Sequence, residues 1–244
     1  MRRLGQHFLS DARILDRIVD ALDPVPGETV LEIGPGRGSL TRALLARGLQ
    51  VIAIEKDREL AAALDEERLK LLPGDALRLD WPRVAKIVGN IPYYITSPLI
   101  DKALTPPLPE RVVFLVQAEV ADRLAAKPGT KAYGALTVGV QAVCRVEKLF
   151  AVAPGSFRPP PKVRSAVIRL TPLPEPLLRR EEVLPFRTFV TACFGKRRKQ
   201  LKNAVPGVSE AELRELGIDP TARPERLSPN DFLRLLRLRS QETR

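Results

Sequence analysis

Glu55, Asp75 and Asn90 each stand at or just beyond the end of a short apolar run, and a fourth run ends in the glycine loop Gly34-Pro35-Gly36-Arg37-Gly38. These residue types suit the holding of a nucleoside. A carboxylate about 20 residues beyond a glycine loop can accept hydrogen bonds from ribose hydroxyls, and Glu55 has that place. Asp75, in LPGDAL, suits an exocyclic amine such as that of adenine. Glycines after a strand let the backbone pass close to a ligand, and the amides of the next helix N-terminus face it. The spacing is not that of a dinucleotide fingerprint, because Ser39 occupies the place of the third glycine. Asn90 opens the stretch NIPYYITSP (90–98), which brings an uncharged amide, a proline and two tyrosines but no histidine, cysteine or carboxylate. Acid–base, nucleophilic and metal chemistry would each need other residues. What an amide and an aromatic pair do at that place depends on what the rest of the chain brings to it.

Strands alternating with helices must position this set. TVLEI (29–33), QVIAI (50–54), RLKLL (68–72), KIVG (86–89) and RVVFLV (111–116) read as buried strands. Residues 10–22 carry Ile14, Leu15, Ile18, Val19 and Leu22 at helical spacing, with Ser10 or Asp11 as N-cap. A second helix runs through LTRALLARG to Gly48, and a third through RELAAALDEE. The alternation predicts an α/β fold, a doubly wound and mostly parallel sheet, with the four chemical features along its carboxyl edge. Residues 138–150 and 165–170 read as two further strands joined by the proline-rich APGSFRPPPKV, antiparallel at the end of the sheet. TPLPEPLLRR then reads as a linker, giving a catalytic domain over 1–172 and a small all-helical domain over 173–244. In the latter, Ser209 and Glu212 form a capping box before a helix closed by Gly217, and Ser228-Pro229-Asn230-Asp231 opens another.

The composition narrows the partners. The 244 residues are 44% hydrophobic with net charge +11, which favours a polyanion such as nucleic acid. No apolar run approaches the ~20 residues of a bilayer span, and the opening MRRLGQHFLSDARILD puts charges where a signal peptide would be apolar. Two well-separated cysteines, Cys144 and Cys193, fit a reduced cytoplasmic chain, and with one histidine they make a zinc site an unpromising reading. The run Lys196, Arg197, Arg198, Lys199 and Lys202 falls within two predicted helical turns and is assigned to RNA phosphates.

The motifs GQHFL (5–9), EIGPGRGSLT (32–41), IEKD (54–57), GDA (74–76), NIPYYITSP, LVQAEVADRL (115–124) and FGKRRKQLKN (194–203) follow one another over most of the chain. In that order they resemble the KsgA family of ribosomal RNA adenine dimethyltransferases, class I S-adenosylmethionine-dependent enzymes with a seven-stranded Rossmann-like sheet. The resemblance implies S-adenosylmethionine as cofactor, with His7, Leu9, Gly34, Gly36, Glu55, Lys56, Asp75, Ala76 and Asn90 around it. It implies Asn90, Pro92, Tyr93 and Phe157 as the catalytic group, with Asn90 and the Ile91 carbonyl aiming the amine and Tyr93 and Phe157 sandwiching the purine. Two adjacent adenines in the 3′-terminal hairpin of 16S RNA are the implied substrate, in ribosome biogenesis. A monomer without metal or membrane association is expected. His7 stands where many members have asparagine, and Tyr94 where asparagine or histidine is frequent. A large-subunit (23S) adenine methyltransferase of the resistance type, which shares GQHF and NIPY, remains open, as does a non-catalytic RNA-binding or transcription factor on this fold. An NAD-dependent oxidoreductase is disfavoured by the glycine spacing.

Overall fold

The computed structural model describes residues 7–242; Gly5 and Gln6 of the GQHFL motif lie outside them. The chain runs β1 (Phe8–Leu9), α1 (Ala12–Ala21), β2 (Thr29–Ile33), α2 (Ser39–Ala46), β3 (Gln50–Glu55), α3 (Arg58–Ala62), β4 (Leu69–Pro73) and β5 (Lys86–Asn90). It continues α4 (Thr96–Ala103), β6 (Arg111–Gln117), α5 (Ala118–Leu124), α6 (Ala135–Gln141), β7 (Cys144–Val152), β8 (Phe157–Arg158) and β9 (Ser165–Pro172). Four helices follow: α7 (Val183–Gly195), α8 (Leu201–Ala204), α9 (Glu210–Glu215) and α10 (Pro229–Glu242).

Seven strands form one sheet in the order β4-β3-β2-β5-β6-β9-β7, and β1 pairs separately with β8. The pairs β4–β3, β3–β2, β2–β5 and β5–β6 are parallel, and β9 is antiparallel to β6. The five parallel strands are the five read from apolar runs; in β2, β3, β5 and β6 burial on both faces removes the polar alternation of a half-exposed strand, while β4 is the partly exposed edge. α1 starts where Asp11 accepts hydrogen bonds from the amides of Arg13 and Ile14. Its Leu15, Ile18 and Val19 join Leu40, Leu44 and Leu45 of α2 in a buried cluster with Val30, Val51 and Val88 of the sheet. Transfer of a leucine-sized side chain into such a cluster contributes about 1.5–3 kcal/mol.

The last part of the reading needs correction. Residues 138–141 are not strand; they lie in α6, whose Thr137, Val138, Gly139 and Val140 are all buried. A helix covered on every side has no polar face, so its sequence reads like a buried strand. The linker is no loose connection either. β9 continues to Pro172, and the amides of Leu173 and Leu177 donate to the carbonyls of Val143 and Ala142.

The chain divides into two compact units, one of residues up to Ala121 with Glu147–Pro172, the other of Asp122–Val146 with Leu173 onward. The break after Pro172 coincides with the expected boundary, but the segment 122–146 groups with the C-terminal helices. In this second unit the Tyr133 hydroxyl donates to the Leu227 carbonyl, and Gln141 donates to the carbonyls of Leu124 and Ala126. The Ser209–Glu212 capping box is present, and Ser228 and Asp231 exchange the same pair of bonds at the start of α10. Among the described residues no helix is long and apolar enough to cross a membrane.

Candidate functional site

The carboxyl ends of β2, β3, β4 and β5 lie along one edge of the sheet, since these strands are parallel and in register. β2 delivers the glycine loop. Gly36 (φ 56°) and Gly38 (φ 79°) occupy the left-handed region, and a Cβ at Gly36 would meet the Phe8 ring at 2.9 Å. Only glycine keeps the loop this close to β1 without strain.

Glu55 ends β3 and is 6% exposed. Its Oε2 accepts the Gly36 amide at 3.0 Å and its Oε1 the Asp57 amide at 2.9 Å. One carboxylate therefore fixes the glycine loop and the start of α3 while keeping lone pairs for a ligand. Asp75 follows β4; its Oδ1 accepts the Leu77 amide at 2.9 Å, and its Oδ2 takes the Lys56 ammonium at 3.0 Å. The Leu77 amide and then the Lys56 ammonium hold its carboxyl below the ordinary value, so it is an ionised acceptor.

Asn90 ends β5, and its Nδ2 donates to the His7 carbonyl at 2.9 Å. That bond sets the amide: nitrogen engaged by the backbone, Oδ1 left as the acceptor. Pro92 precedes a short turn in which the Thr96 hydroxyl reaches the carbonyls of Pro92 and Tyr93. The Tyr93 hydroxyl shares a 2.8 Å hydrogen bond with the buried Ser165 of β9. His7 Nδ1 donates to the Pro159 carbonyl at 2.9 Å, and its ring lies 6.0 Å from that of Tyr93, tilted by 31°.

Two adjoining depressions result. The first is lined by His7, Leu9, Gly36, Glu55, Asn90 and Tyr93 among others. The second is lined by Gly34, Glu55, Lys56, Asp75, Ala76 and Tyr94 among others. Glu55, Gly34 and Pro92 border both. Every residue expected around the cofactor thus comes to this one edge. The cradle fits a nucleoside-bearing ligand: two carboxylates as acceptors, a glycine loop at contact distance from an aromatic ring, and apolar walls.

Phe157 is corrected. It is 1% exposed, pairs with Leu9 across β1–β8 and packs in the core with Ile18 and Leu22. It is not among the residues lining the two depressions, and the ring nearest that of Tyr93 is His7, at 6.0 Å. An aromatic beside prolines reads equally as a site residue or as a hairpin anchor, and here it anchors. The basic run is altered too. Lys196 to Lys199 form the turn after α7, with only Lys202 in α8. Arg197 donates to the Lys131 carbonyl and lies 3.7 Å from Glu225, while Lys202 lies 3.4 Å from Glu210. Internal partners therefore neutralise part of its charge.

Glu32 is a site residue that the motifs do not single out, although a lone acid in the apolar TVLEI is a signal. It borders the first depression, is 1% exposed and accepts the Thr41 hydroxyl at 2.7 Å. Burial pushes its carboxyl up to about 7, against the Thr41 hydrogen bond and helped by the charge of Glu55. Because the folded state holds this proton more tightly, the stabilisation is complete below the unfolded value of 4.5 and is lost as pH rises through about 7. Denaturant unfolding should show up to about 3 kcal/mol of stability lost between pH 4.5 and about 8 from this group. Glu32→Gln should remove that component; an identical pH profile in the variant would show that Glu32 does not titrate there.

Residues 1–240 match the family model described as ribosomal RNA adenine dimethylase. The chain belongs to that family. A curated relative from Hahella chejuensis, named ribosomal RNA small subunit methyltransferase A, is 43% identical over 96% of this chain and 90% of its own. One of the same name from Thermosynechococcus vestitus is 45% identical, covering 96% of this chain and 94% of its own. Among solved structures, a dimethyladenosine transferase from Plasmodium falciparum superposes with a TM-score of 0.84 at 30% identity, covering 97% of this chain and 98% of its own. The 23S rRNA methyltransferase ErmE gives 0.69 at 32% identity, covering 96% and 100%. The dimethylase family model and these superpositions span both compact units, so the likeness extends beyond the nucleoside cradle.

Proposed function

We propose that the protein is an S-adenosylmethionine-dependent enzyme that dimethylates N6 of two adjacent adenines in the 3′-terminal hairpin of small-subunit (16S) ribosomal RNA, during ribosome biogenesis. The observation that carries the chemistry is the fixed orientation of Asn90, whose amide oxygen is left as an acceptor beside the Tyr93 ring. When bound, S-adenosylmethionine supplies a methyl group on a sulfonium, a carbon already activated towards an amine. Glu55 would accept from its ribose and Asp75 from its adenine amine, while His7, Leu9, Gly34, Gly36, Lys56 and Ala76 would enclose it.

Asn90 Oδ1 and the Ile91 carbonyl accept the two hydrogens of the target amine and turn its lone pair towards the methyl carbon. Holding that line of attack is proximity catalysis. Transfer would exchange the donor's carbon–sulfur bond for the new nitrogen–carbon bond and release one proton from the amine; the part of these residues is to hold the nitrogen on that line. Tyr93, stiffened by Pro92 and held by Ser165, stacks on the extruded base; stacking of this kind is worth about 1–3 kcal/mol. The names borne by the curated relatives favour the small subunit as substrate. Lys196, Arg198 and Lys199, with Arg197 and Lys202 as weaker members, supply phosphate contacts on the helical unit.

The likeness to the 23S enzyme keeps one alternative in view. Supplying labelled cofactor with each immature ribosomal subunit separately, then mapping the modified base by mass spectrometry, decides between them. Two methyls on each of two adjacent small-subunit adenines are expected. Label on large-subunit RNA alone would hand the case to the alternative.

A further inference from the structure

We propose that the segment Arg158–Arg164, between β8 and β9, is a clamp for the RNA phosphates flanking the target adenine. This rests on the reading of the cleft as an adenine methyltransferase site. Extruding a base leaves its neighbours' backbone to be held at the mouth of the slot, and phosphate contacts are what fix such a register. The segment is placed for that. Pro159 accepts from the His7 ring, and Ser165, the residue after the segment, bonds the Tyr93 hydroxyl. Its two ends are thus tied to the His7 and Tyr93 rings, which lie 6.0 Å apart and both line the cleft.

Its charge is of one sign. From Lys148 to Pro174 the chain contains no carboxylate. Arg158, Lys162 and Arg164 are exposed, and none of them forms an ion pair among the described residues. Arg169 on the same hairpin differs, being held by both oxygens of Glu147. Among the described residues Arg158 donates only to the Gly155 and Phe157 carbonyls, which leave its charge uncompensated, and cations without a carboxylate partner are what counterion release from RNA requires.

The segment is also stiff. Pro159, Pro160 and Pro161 follow one another, Pro161 is buried, and the Arg164 carbonyl accepts the Ala118 amide at 3.0 Å. Prolines fix φ, so the three charges are held in place before the RNA arrives. Val163, 44% exposed between two of the cations, offers an apolar contact to a ribose or base edge. No packing demand of the fold accounts for an exposed valine between two unpaired cations.

The test compares wild-type protein with the triple variant Arg158→Gln, Lys162→Gln, Arg164→Gln on immature small subunits at several salt concentrations. The variant should raise KM for the subunit at least about tenfold at moderate salt, with kcat at saturation and cofactor affinity by calorimetry unchanged. Its plot of log affinity against log salt should be flatter by roughly three units, one for each phosphate no longer neutralised. Binding to protein-free small-subunit RNA should flatten likewise. The charge-preserving double variant Arg158→Lys, Arg164→Lys, which keeps Lys162, should retain most of the wild-type KM and slope. Unchanged KM and slope in the triple variant, alongside an active wild type, would overturn the clamp alone. A defect on whole subunits that is absent on free RNA would overturn it by assigning the segment to a ribosomal protein. A wild type that labels no RNA would remove the underlying reading and the clamp with it. Should the triple variant lose cofactor affinity through misfolding, the Lys162→Gln single variant, with an expected slope change of about one unit, decides.

Discussion

Asn90→Ala is expected to slow single-turnover methylation about a hundredfold, the loss typical when a reacting group is misplaced by about 1 Å. Cofactor affinity should change by no more than about threefold, because Asn90 is one of many residues around that ligand and Glu55 and Asp75 carry the charged contacts. The prediction follows from the way the amide is fixed. Its nitrogen is committed to the His7 carbonyl, so its oxygen is the acceptor available to a target amine. Rapid-quench assays with saturating cofactor and subunits separate this effect from binding. A near-normal single-turnover rate would show that the amine is aimed by something else, and the Ile91 carbonyl would be the next candidate.

Glu55→Ala should weaken cofactor binding by about 1–3 kcal/mol, the range for removal of a charged hydrogen bond. The substitution does two things at once. It removes the acceptor proposed for the ribose, and it frees the amides of Gly36 and Asp57 that the carboxylate holds. Glu55→Gln should fall between the two, since its amide oxygen can accept one amide while its NH2 opposes the other. Calorimetry on the isolated protein reads both. Unchanged affinity in Glu55→Ala would remove the residue from the site.

The parallel half of the sheet and the edge that bears Glu55, Asp75 and Asn90 are legible because each follows from local sequence. A doubly buried strand is an apolar run, and parallel strands place their carboxyl ends together. What is not legible depends on neighbours far along the chain. The strand-like residues 138–141 are helix because the helical unit surrounds them. Phe157 turns inwards because β8 pairs with β1, a partner some 150 residues earlier that no local pattern announces. The run from Lys196 to Lys202 reads as five free cations, yet Glu210, in the next helix, and Glu225, further along the chain, come back to two of them. Glu32 reads as part of a motif, and only its burial beside the cleft pushes its carboxyl up from the ordinary range.

Three hydrogen bonds join the site's rings and amide, and their spans along the chain are 83 residues for Asn90 to His7, 72 for Tyr93 to Ser165 and 152 for His7 to Pro159. Closing loops of that length is the slow part of folding. β9 must also enter the sheet between β6 and the edge strand β7, although β7 precedes it in the chain. During synthesis the glycine loop and the acids of β3 and β4 can therefore be in place well before Tyr93 has Ser165 to lean on. The glycine loop and the two carboxylates thus rest on contacts within the first 80 residues, whereas the places of the Tyr93 and His7 rings wait on residues 159–165.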